Sequence, residues 1–143
     1  MRRFIGLIAA IVLILGTVSV CYGQTSPGNV AEPAYVGTAV HVEKFTVASG
    51  GLSTAVAYTM PKNESSYDKV IINIKIAKAT TGTVVYDKSF TTYYDSIRDW
   101  FRVSKDYQLP SKGTYSMDAT YKCYKNGKLI ETIKGATKIS SYQ

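Results

Sequence analysis

The sequence predicts an all-β protein, an antiparallel sandwich of about seven strands over residues 38–143, and three observations carry that reading. From Thr38 onward, short runs rich in Val, Ile, Thr and Tyr alternate with turn residues at roughly eight-to-twelve-residue spacing, which suits a sandwich and not a helical fold. Val70, Ile72, Ile74 and Ile76 share one face of a two-residue period, with Asn73 and Lys75 on the other, so the four aliphatic side chains are expected in the core. Asn126-Gly127 divides two further runs, and both residues tolerate the positive φ angles of a type I′ hairpin turn.

Ahead of this domain, Arg2 and Arg3 precede an uncharged apolar run from Phe4 to Val20. Small residues follow at Cys21 and Gly23, three and one positions before Gln24. This pattern predicts an export signal over residues 1–23, cleaved to give a secreted, extracellular protein. A retained anchor competes with it, because the run is close to the lower limit of about 17 to 25 residues for a membrane span. No Lys or Arg stop follows the run, which favours cleavage. A lipoprotein acylated at Cys21 is disfavoured by Val20, where such signals carry a small residue. Residues 24–37, rich in Pro, Gly, Ser and Ala, read as a flexible lead.

Within the domain, Thr38 to Ala48 and Leu52 to Met60 form a hairpin about Ser49-Gly50-Gly51. Pro61 to Ser66 interrupts the pattern, Pro61 having no ladder donor. The aliphatic strand follows, then Thr80-Thr81-Gly82 and a strand from Thr83 to Phe90. Thr91 to Arg98 has no clean period and is expected to hold an irregular loop or one helical turn. In the strand from Asp99 to Tyr107, Phe101 and Val103 share one face and Trp100 and Arg102 the other, and the pattern leaves open which is inside. Gly113 to Lys125 and Lys128 to about Ile139 form the last hairpin. A two-residue turn there sets Lys122 opposite Glu131 on one face and places Tyr115, Met117, Ala119, Tyr121 and Cys123 on the other.

Seventeen basic and 10 acidic residues give a net charge of +7, and loss of Arg2 and Arg3 leaves +5. The lysines never form a run, so no nucleic-acid footprint is expected, while weak attraction to an anionic polymer remains open. Cleavage leaves Cys123 as the only cysteine, so stability rests on packing, and Cys123 is expected to point inward as a small hydrophobe. His41, two positions from Glu43, reads as part of a solvated strand face, since no further ligands lie near in sequence. Asp87, Asp95, Asp99 and Asp106 lack the order of a calcium loop, and no phosphate-binding loop or nucleophile elbow occurs. No catalytic residue, metal or cofactor is therefore expected.

The run Leu109-Pro110-Ser111-Lys112-Gly113-Thr114-Tyr115 resembles the turn before the penultimate strand of fibronectin type III and bacterial immunoglobulin-like domains. That resemblance implies an immunoglobulin-like sandwich in which Tyr115 makes a tyrosine corner and Leu109 enters the core. Over its last third, from Gly113-Thr114-Tyr115 through Tyr121 to Thr132, the chain also resembles a family of small exported Gram-positive proteins of unknown function. That family carries no activity over to this chain.

Aromatic residues supply the binding candidates. Tyr93, Tyr94, Trp100 and Tyr124 are predicted to offer flat, amphipathic surfaces, whereas Phe101, Tyr115 and Tyr121 are assigned to the core. Tyr124 opposite Leu129, with Ile133 on the same side, is expected to form an outer apolar patch. The reading that results is a secreted, non-catalytic binding or structural module for a surface polysaccharide or protein, with no membrane contact after cleavage. A secreted hydrolase or enzyme inhibitor is the alternative.

Overall fold

The computed structural model describes residues 35–143, so the predicted export signal and most of the predicted lead fall outside the described residues. Eight strands follow one another: β1 (Thr38–Val47), β2 (Leu52–Pro61), β3 (Lys69–Lys78), β4 (Val84–Thr92), β5 (Phe101–Gln108), β6 (Gly113–Lys125), β7 (Lys128–Lys134) and β8 (Lys138–Tyr142). One three-residue 3₁₀ turn, Glu64–Ser66, occupies the interruption after Pro61. Among the described residues no helix is long and apolar enough to cross a membrane.

The strands form two antiparallel sheets, β1-β2-β5 and β4-β3-β6-β7, with β8 also pairing with β6. This is an immunoglobulin-like β-sandwich: β1, β2 and β5 take the places of strands A, B and E, and β3, β6 and β7 those of C, F and G. The two-residue period explains the layering. Val70, Ile72, Ile74 and Ile76 all point inward and are fully buried, as their alternation predicts. They meet Phe45, Ala55, Ala57 and Phe101 from the other sheet and Met117, Ala119, Tyr121 and Cys123 from β6, in one core. Each buried aliphatic of this size stabilises the fold by about 1.5 to 3 kcal/mol over its exposed state. In β5 the inward face proves to be that of Phe101 and Val103, leaving Arg102 exposed.

The Tyr115 hydroxyl donates to the Ser111 carbonyl at 2.8 Å and Leu109 is buried, so both residues take the roles that the fibronectin-like turn implies. Asn126 and Gly127 adopt φ angles of 50° and 74°, the turn expected of them.

Four expectations are corrected. The β6–β7 register holds only for Lys125↔Lys128 and Tyr124↔Leu129, after which Cys123 pairs with Glu131 and Lys122 with Thr132. Ile130 is the extra residue of a bulge, and a one-residue slip turns every later side chain to the opposite face. Ile133 is thereby buried against the core instead of joining an outer patch with Tyr124. Glu131, in place of meeting Lys122, accepts from the Thr38 hydroxyl (2.9 Å) and from the Val36 amide (2.9 Å). Those bonds hold the last residues of the predicted lead against the sandwich.

The predicted final strand is likewise divided. Gly135, Ala136 and Thr137 separate β7 from β8, which makes eight strands of an expected seven. The reason lies across the core, where Glu43 reaches from β1 into the break and its Oε2 accepts the Ala136 amide at 3.2 Å. His41 and Glu43 therefore do not form a solvated strand face: Glu43 is buried and His41 is half-buried.

Candidate functional site

The connection from Tyr93 to Trp100 carries the chain from the edge of the larger sheet to the edge of the smaller one. Asp95 organises it. Its Oδ1 accepts the Ile97 amide (3.0 Å), its carbonyl accepts the Arg98 amide (3.2 Å), and its Oδ2 pairs with the Arg98 guanidinium (3.2 Å). The Asp95 amide donates to the Trp100 carbonyl at 2.9 Å and closes the loop. Asp99 adopts φ 55°, a left-handed conformation that Asp tolerates better than most residues. In that position its Oδ1 accepts the Tyr94 hydroxyl at 2.6 Å. This bond, ahead of desolvation, pushes the Tyr94 phenol up to about 12.

Tyr94 also rests against Phe101, with ring centroids 5.7 Å apart, so its ring is partly core. Its other side lines a cleft of about 410 Å³ with Val40, Met60, Lys62, Glu64 and Asp99. Tyr93, next in the chain, is 70% exposed.

Trp100 begins the outward row of β5. Its indole meets Tyr58 of β2 at 5.0 Å between centroids, inclined at 50°. The Arg102 guanidinium lies 5.4 Å from the indole centre and that of Arg98 6.0 Å, both within cation–π range. Arg102 is paired in register with Tyr58, and Tyr58 with Val42. The outer face of the small sheet therefore carries an aromatic pair bordered by two guanidinium groups.

Tyr124 lies elsewhere, on the outer face of the larger sheet. It lines a groove of about 520 Å³ with Ile71, Asn73, Ser89, Thr120 and Lys122. Lys69 sits 5.3 Å from the centre of its ring. Of the four predicted binding residues the fold thus gathers Tyr93, Tyr94 and Trp100 on one connection and places Tyr124 on the opposite sheet. Tyr58, Arg98 and Arg102 were not among the candidates. Arg102 was detectable as sharing the Trp100 face, but nothing local to Tyr58 announces that it pairs with a residue more than 40 positions away.

The other chemistry-bearing residues occupy structural positions. Cys123 is fully buried and burial pushes its thiol up to about 11, so it is protonated at neutral pH. His41 Nδ1 lies 3.0 Å from Glu43 Oε1, and its ring packs edge-on against Tyr35. Asp87 accepts from Asn73 and Asp106 from Thr54, each across a strand pair. Among the described residues no three His, Cys, Asp or Glu side chains are grouped as a metal would require.

No family model matches the chain, and no curated protein matches it. Among solved structures it is similar to a glycosyl hydrolase family 2 member from Bacteroides cellulosilyticus DSM 14838, at 19% identity and a TM-score of 0.39. The similarity covers 68% of this chain and 14% of that one, so the chain spans a small part of that protein's length.

Proposed function

We propose that this protein is a secreted, non-catalytic module that binds a polysaccharide of the cell envelope, through Trp100 and Tyr58 with the adjoining Tyr93–Trp100 connection. The observation that carries the reading is the Tyr58–Trp100 pair, two amphipathic rings held 5.0 Å apart on an outward sheet face and not in the core. Sugar rings present apolar C–H faces that stack on such surfaces, and their hydroxyls need donors and acceptors at the rim. Arg102, Asp99 and Lys62 supply those groups nearby.

A rigid sheet also suits this role because the rings are positioned before the ligand arrives, which reduces the ordering cost of binding. The test compares the exported protein and its Trp100→Ala variant for retention on insoluble envelope polysaccharide. The variant is expected to lose most retention with its melting temperature preserved, since Trp100 faces outward. Equal retention of the two proteins rejects the reading.

A further inference from the structure

Basic side chains border the aromatic pair on the outer face of the small sheet. Besides Arg102 and Arg98 at the indole, β1 contributes Lys44, which is paired with Val56 one residue pair further along the same face. Three of the carboxylates in the region have partners, while Glu64, in the cleft beside Tyr94 and Asp99, forms no ion pair among the described residues. Asp95 pairs with Arg98, Asp99 accepts from Tyr94, and Asp106 accepts from Thr54 at 2.7 Å. Arg102 has no carboxylate within ion-pair distance among the described residues, although it is exposed and 5.4 Å from the indole centre. A guanidinium beside an aromatic ring, with no ion-pair partner, presents the planar fork that matches a carboxylate.

We infer that this face recognises an acidic polysaccharide whose sugars bear carboxylates. Trp100 and Tyr58 stack on the sugar ring, and Arg102 takes the carboxylate in a two-point hydrogen-bonded pair. The inference deepens the polysaccharide-binding reading and rests on it. The geometry favours a carboxylate over a neutral sugar because an uncharged ring leaves the guanidinium donors without an acceptor matched to their fork. Lys44, one residue pair further along the face, adds a second basic group, so the attraction is salt-dependent.

The test titrates the exported protein with polygalacturonate, its fully methyl-esterified form and dextran sulfate, with Arg102→Gln, Arg102→Lys, Lys122→Gln and Trp100→Ala variants alongside. Polygalacturonate is expected to bind about tenfold or more tighter than the ester, as a charge-assisted two-point contact does. Arg102→Gln is expected to remove that preference with melting temperature unchanged, and Arg102→Lys to keep only part of it, because an ammonium is a point charge. Lys122→Gln, on the opposite sheet, is expected to keep it in full.

Equal binding of acid and ester that still requires Trp100 overturns the inference and leaves polysaccharide binding standing. Equal losses in Arg102→Gln and Lys122→Gln, or tighter binding of dextran sulfate that ignores Arg102, reduce the effect to diffuse charge and likewise overturn it. No binding to any of the three polymers overturns the inference, and retention on insoluble envelope polysaccharide then decides the reading beneath it.

Discussion

The Tyr121 hydroxyl, from β6, donates to Glu43 Oε1, from β1, at 2.7 Å across the space between the two sheets. The same carboxylate faces His41 Nδ1 and the Ala136 amide, so three donors converge on a group that is almost wholly buried. Buried charge is tolerated where its hydrogen-bonding capacity is filled, and the donors supplied by Tyr121, His41 and Ala136 meet that condition. Tyr121→Phe is expected to destabilise the fold by about 1.5 to 3 kcal/mol, the range for losing a bond to a charged group. Glu43→Gln is expected to cost a similar amount, because its amide N–H₂ meets donors where an acceptor is needed. Chemical denaturation of the two variants and their combination checks this. The double variant should cost less than the two single ones added, since both act on one contact.

Gly135 stands where a side chain would run into the Glu43 carboxylate. That carboxylate is held by Tyr121 and Ala136 and has little freedom to move aside. Gly135→Ala is therefore expected to destabilise by about 1 to 3 kcal/mol through overpacking. Gly50→Ala, where the added carbon meets nothing within 4 Å, serves as the control and should change the melting temperature little.

The contrast between these residues and the readily predicted ones shows what a sequence pattern can hold. Val70 to Ile76 declared their burial because alternation is a local property, and β3 is a central strand paired on both sides. Asn126-Gly127 declared its turn for the same local reason, and Leu109 to Tyr115 its corner. The Ile130 bulge did not, because it follows from a tertiary demand: it delivers Ile133 to the core and brings Glu131 to Thr38. The break at Gly135 likewise depends on Glu43, 92 positions earlier in the chain. At the candidate site the aromatic content was visible, but its division between two opposite sheet faces came only from strand order. Tyr124 shares neither face nor loop with Trp100, and no spacing along the chain conveys that.

Cys123 is expected to be inert in the native state. Its thiol is fully buried and pushed up to about 11, against an ordinary value of 9.0, which lowers the thiolate fraction about 100-fold at a given neutral pH. Alkylation by iodoacetamide at pH 8 should therefore be at least about 100-fold slower in buffer than in denaturant. Rapid labelling of the folded protein would show a thiol accessible to solvent and contradict the packing of β6 against Thr38 and Glu131.

Asp68 ties the end of the last hairpin to the start of β3. Its Oδ1 accepts from the Lys125 ammonium at 2.9 Å and its Oδ2 from the Asn126 amide. The Lys125 bond first and the Asn126 bond second hold its carboxyl below the ordinary carboxylate range. A carboxyl whose folded value lies below its unfolded one stabilises the fold above the unfolded value near pH 4. That contribution is lost as the pH falls through the folded value, because the unfolded chain takes up the proton first and acid therefore favours it. Asp68→Asn is expected to melt below the unaltered protein at pH 7, and the gap between them is expected to shrink steadily from pH 4 toward pH 2. Melting curves of both proteins across that interval decide the matter, and a gap that stays constant or widens in acid contradicts the assignment. The other carboxylates are common to both proteins, so the difference isolates the Asp68 contact with Lys125 and the hairpin turn.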